Sequence, residues 1–63
     1  MTDIPALCSL AGVWTEQTDA GIRIRAGRRQ VLETLPLDSD QELVDRRLIV
    51  HCRSEIDFMS QGF

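Results

Sequence analysis

The side chains able to do chemistry in this chain are two cysteines, one histidine, ten carboxylates and seven basic residues, all seven of them arginine. Nucleophilic catalysis needs a nucleophile with a base within hydrogen-bond reach. His51 is the only imidazole, and its neighbour is Cys52. Adjacent side chains point to opposite faces of a strand and diverge on a helix, so these two make no working pair. A structural zinc site wants four ligands, usually in closely spaced pairs. Cys8, His51 and Cys52 offer three, without that spacing. The two cysteines are expected as small packed hydrophobes. A Cys8–Cys52 disulfide would close most of the chain, but nothing in the sequence demands one. Asp38, Asp40 and Glu42 cluster just after Pro36. A general acid needs burial to raise its pKa. A short loop on a small domain gives little burial, so the cluster reads as a solvated loop and helix cap. No G-x-G-x-x-G and no GK[ST] is present to cradle a phosphate. The chain therefore reads as a non-enzyme with no metal and no cofactor.

Charge is more informative. The net of -3 conceals blocks. Arg23, Arg25, Arg28 and Arg29 fall together with no acid among them. Glu33, Asp38, Asp40, Glu42 and Asp45 follow with no base, and Arg46, Arg47 and Arg53 come after. Guanidinium groups present planar, bidentate donors suited to carboxylate or phosphate. The candidate protein-binding residues are Arg23, Arg25, Arg28 and Arg29 on one surface and Asp38, Asp40 and Glu42 on another. Such patches set specificity and association rate. A second candidate is nucleic acid, since a β-ribbon with outward arginines can grip phosphates. Stacking on bases would want aromatics on that face, yet the chain has no Tyr; its one Trp, Trp14, lies on the neighbouring strand and could serve, but a lone Trp in a small domain is expected in the core. The acidic balance also weighs against a dedicated nucleic-acid binder. The plainest alternative is that the arginines pair across strands with Glu16, Glu33, Asp45 or Glu55.

These groups must be positioned by short elements. Asp3 is an acceptable N-cap and Pro5 suits a first helical turn, so a short helix is expected to Ala11 with Gly12 as its stop. Val13 to Thr18 reads as a strand, Asp19-Ala20-Gly21 as a turn, and Ile22-Arg23-Ile24-Arg25-Ala26 as a half-buried strand with its arginines outward. Gly27 and Arg28 suggest a second turn, and Gln30 to Leu35 a third strand with Val31, Glu33 and Leu35 on one face. Pro36 ends it. Ser39 and Glu42 match a capping box. After them two readings compete. Val44, Leu48, Cys52 and Ile56 recur every four residues, as on a helix. The β-branched pair Ile49-Val50 favours a strand from Arg47 to about Arg53. A short helical turn at Gln41 to Asp45 is expected before it, with a last strand at Ile56 to Met59 and a frayed tail from Ser60 to Phe63.

The resulting fold class is mainly β: a small, partly open barrel or meander of four to five short strands with one or two helical turns. The alternative is α+β, an N-terminal hairpin packed under a C-terminal helix from Asp40 to about Glu55. Either way residues 1–63 form one domain. A domain of about 60 residues buries only roughly 60% of its unfolded surface, so its stability is marginal. A partner surface or a homo-oligomer is the natural supplement. No apolar run is long enough to cross a membrane, and Met1-Thr2-Asp3 lacks the basic start of a signal peptide. A cytoplasmic location, no membrane partner and a protein partner are expected. The function these features suggest is a small non-catalytic protein-binding module: an adaptor, an inhibitor or an accessory subunit, with a structural homo-oligomeric subunit as a further alternative.

Overall fold

The computed structural model describes residues Asp3 to Gln61. The order of elements is α1 (Ile4–Ala11), β1 (Val13–Thr18), β2 (Gly21–Ala26), β3 (Gln30–Leu35) and α2 (Gln41–Gln61). The strands form an antiparallel sheet in the order β1-β2-β3. One face of that sheet, the inner face, is covered by the two helices. The other, outer face carries no layer among the described residues. The Cα atoms span only 14 Å in the thinnest direction, as two layers must.

Local chemistry starts α1 and turns the first hairpin where the sequence suggests. The Asp3 carboxylate accepts the Ala6 amide at 3.2 Å and caps α1. Gly12, in the left-handed region, ends it by donating its amide back to the carbonyls of Cys8 and Ser9. The β1–β2 turn is held by the Thr18 hydroxyl, which donates to the Gly21 carbonyl at 3.1 Å and accepts the Ala20 amide. A side chain at Gly21 would collide with the carbonyl oxygen of Leu35 on β3.

The core lies between the layers. Ala11, Val13, Ile24, Leu35, Val44, Leu48 and Cys52 are buried, and Ile4, Leu7, Cys8, Ile22, Leu32 and Ile56 pack against them. Ile24, at the centre of β2, is fully buried. Between Ile24 and Arg25 the register with β3 shifts: Arg25 lies opposite Val31, but Ile24 lies opposite Glu33. Leu32 is the extra residue of this β-bulge. It splits the expected single face of β3. Val31 points outward and is 43% exposed, while Glu33 and Leu35 turn toward the helices.

The fold is α+β, the alternative, and not a mainly β barrel. The correction falls on residues 41–61, which form one helix of 21 residues. No strand runs from Arg47 to Arg53 or from Ile56 to Met59, and Ser60 and Gln61 are helical. Gly62 and Phe63 lie outside the described residues. Two physical terms outweigh the β preference of Ile49-Val50. The four-residue spacing places Val44, Leu48 and Cys52 on one buried stripe. A sheet of three strands also needs a layer to cover its inner face. The helix begins at a cap, though one residue later than expected. Asp40, rather than Ser39, accepts the Leu43 amide at 2.9 Å.

Candidate functional site

The outer face of the sheet is where the expected arginines converge. Register places Trp14, Arg25 and Val31 in one row across the three strands, and Glu16, Arg23 and Thr34 in the next. Side chains in such rows are neighbours. The Arg25 guanidinium carbon lies 5.3 Å from the centroid of the Trp14 ring, a cation–π contact. Its Nη1 donates to Glu16 at 3.1 Å, and Arg23 reaches the same carboxylate oxygen at 4.0 Å. Trp14 is therefore not a core residue; it is 43% exposed on the open face.

The row also organises the β2–β3 turn. Trp14 Nε1 donates to the Gly27 carbonyl at 2.7 Å, and Arg25 Nη2 donates to the Arg28 carbonyl at 3.1 Å. The Gly27 amide in turn donates to the Gly12 carbonyl at 3.0 Å. Three donors thus fix the backbone that carries Arg28 and Arg29. Both arginines are exposed, and neither makes an ion pair among the described residues. Holding the turn from beneath lowers the conformational cost of using these side chains against a ligand.

The acidic candidates lie elsewhere. β3 runs away from the arginine turn, so the loop that follows Leu35 leaves from the opposite end of the sheet. In that loop and the start of α2, Asp40 is the helix cap, and Glu42 holds Arg46 at 2.6 Å one turn on. Asp38 is exposed. The structure does not bring Asp38, Asp40 and Glu42 together with Arg23, Arg25, Arg28 and Arg29.

Glu33 occupies the inner face. One of its oxygens accepts from Arg47 Nε at 2.8 Å and from His51 Nε2 at 2.7 Å, both on α2. These bonds, His51 first and Arg47 second, hold its carboxyl below the usual carboxylate range against the opposing effect of burial. His51 thus ties helix to sheet and has no cysteine thiol to activate. Cys52 lies on the core side of α2, fully buried and free. No group of three His, Cys, Asp or Glu side chains among the described residues could hold a metal ion, and no described helix is long and apolar enough to cross a membrane.

Charge separates by layer. Residues 13–35 carry four arginines against Glu16, Asp19 and Glu33, and Glu33 faces inward. Residues 36–61 carry six carboxylates against three arginines. The overall acidity therefore belongs to the helical layer, and the outer face with its turn is basic. Reasoning from sequence preferred the core for Trp14, with this face as the alternative, and set Val31 on one face with Glu33 and Leu35. The signal for Trp14 was present: if Val13 points inward, the next residue of a strand points outward. Comparison with protein-family models, with curated proteins and with solved structures finds no match.

Proposed function

We propose that this chain is a small non-catalytic protein-binding module whose outer sheet face and β2–β3 turn receive an acidic, extended segment of a partner protein. The observation that carries the reading is the pair Arg28 and Arg29: exposed, without carboxylate partners among the described residues, on a turn braced by Trp14 and Arg25. Arg23 and Arg25 continue the basic surface along the sheet, and Trp14 and Val31 add apolar contact beside them. Aromatic and arginine side chains together are the usual energetic centre of an interface. Asp40 and Glu42 serve α2 itself, which leaves the arginine surface as the better supported of the two patches.

A second reading has one observation of its own. The exposed Trp14 ring, with Arg25 stacked on it, offers a platform for a nucleic-acid base. The two readings separate in one experiment. The full chain is titrated into a fluorescent Asp/Glu-rich peptide and, separately, into a single-stranded oligonucleotide of equal charge, with anisotropy read at about 50 and about 200 mM salt. The protein-binding reading expects the peptide to bind more tightly than the oligonucleotide. It expects at least about a tenfold loss with Arg28→Glu/Arg29→Glu, since opposite charge becomes like charge. Tighter binding of the oligonucleotide with a steep salt slope transfers the face to nucleic acid. Binding of neither removes the outer face as a site.

A further inference from the structure

The two cysteines, 44 positions apart in the chain, meet between the helices. The Cys52 thiol donates to Cys8 Sγ at 3.7 Å, and both are free. Cys8 sits in the middle of α1 and Cys52 in the middle of α2. We propose that they form a dithiol that small-molecule disulfides convert into an intrachain disulfide, stapling α1 to α2.

The two thiols are unequal in the way such a reaction needs. Cys8 is half-buried, so a reagent meets it before Cys52, which is fully buried. Burial, together with the neighbouring Cys8, pushes the Cys52 thiol up to about 11, so it keeps its proton and does not begin the exchange. Cys8 gives its proton to solvent, and its thiolate attacks one sulfur of the reagent disulfide. The reagent S–S bond breaks, and one thiolate leaves and takes a proton. Cys8 now carries a mixed disulfide whose sulfur lies beside Cys52. Once α1 shifts and water reaches the Cys52 thiol, that thiol gives up its proton and its sulfur attacks the Cys8 sulfur, expelling the second thiolate, which is protonated in turn. Two protein thiols lose two electrons, and the reagent disulfide gains them as two thiols.

The distance to be closed is small. A disulfide needs its sulfurs about 2.05 Å apart, so the pair must approach by on the order of 2 Å. The element able to move is α1. It has eight residues, too few to be a stable helix by itself, and it rests on α2 through this contact and the neighbouring apolar packing. Once formed, the bond would close most of the chain into one loop, and loops of that length gain most from cross-linking in the chain-entropy model.

The test uses the full chain in glutathione buffers of increasing oxidised fraction, read by intact mass, by thiol alkylation after denaturation and by thermal melting. The expected product is a monomer lighter by two hydrogens, with no thiol left to alkylate. Its Tm should be raised by at least about 5 °C, and dithiothreitol should reverse the change. Two variants test the assigned order. Cys52→Ala should gain one glutathione, held on Cys8. Cys8→Ala should stay unmodified while folded. The proposal is overturned if the wild-type chain stops at a stable glutathione adduct, joins only between chains, or keeps both thiols in the most oxidising buffer.

Discussion

Glu16 and Glu33 sit in the same sheet, one on each edge strand, and each gathers two nitrogen donors onto a single oxygen. Their partners come from different places. Glu16 meets Arg23 and Arg25 from the adjacent strand of its own hairpin. Glu33 meets Arg47 and His51, 14 and 18 positions later, from the helix on the other layer. The first cluster arranges a surface that solvent can reach. The second joins two layers and is carried by the tertiary fold. The same carboxylate chemistry therefore orders an open sheet face on one side and joins the two layers on the other.

That contrast predicts a graded series. Interlayer packing sets its upper end. Ile24→Ala, at the fully buried centre of the inner face, should cost about 3 kcal/mol in denaturant unfolding. Val31→Ala, outside and opposite Arg25, should cost well under about 1 kcal/mol. Equal losses would mean that the outer face is packed in solution, by a second copy or otherwise.

Glu33→Ala comes next, at about 1–2 kcal/mol, because it strands two half-buried donors. Its titration gives a signature as well. The folded-state pKa lies below the ordinary 4.5, so the stabilisation is present above that value and is lost as pH falls below 4.5 through the depressed one. Acid unfolding of the wild type should steepen in that window, and Glu33→Gln should flatten it. An unchanged acid limb in Glu33→Gln would show that the clasp does not bind the layers.

Trp14→Ala should cost about 1 kcal/mol through the lost Gly27 bond and ring contact. It should weaken the acidic peptide more than it weakens the fold. Glu16→Gln is the smallest change for stability, below about 0.5 kcal/mol, since the isosteric amide keeps an oxygen to accept from Arg25 and Glu16 itself is more than a third exposed. It should nonetheless tighten the acidic peptide several-fold by removing the carboxylate nearest the arginines. Weaker peptide binding in Glu16→Gln would show that Glu16 orients Arg25 rather than competing with the ligand.

Much of the first half of the molecule was legible in the chain. The strict alternation of Ile22 to Ala26 fixed which side chains face out, and Asp19 to Gly21 marked the turn. The cap at Asp3 and the stop at Gly12 framed α1. Residues 41–61 were not legible in the same way, because local preference and periodicity disagree there. Ile49-Val50 fits a strand, and the stripe of Val44, Leu48, Cys52 and Ile56 fits a helix. The need of the sheet's inner face for a covering layer breaks that tie, and this is a property of the assembled layers. The site divides likewise. The outward arginines followed from parity. The bracing of their turn by Trp14 and Arg25 depends on contacts across strands, which spacing alone does not reveal.

Leu32 has the last word on the sign of that face. Were β3 to pair without its bulge, Arg23 would stand opposite Glu33 and Ile22 opposite Thr34, as the pairing of Arg25 with Val31 begins. One inserted residue inverts odd and even for the rest of the strand. Glu33 and Leu35 pass to the helix side, and Thr34 takes the place beside Arg23. A single backbone irregularity thus acts as a charge sorter. It withdraws a negative charge from the open side of the molecule and leaves the arginines there with one carboxylate, Glu16, on the strands beside them.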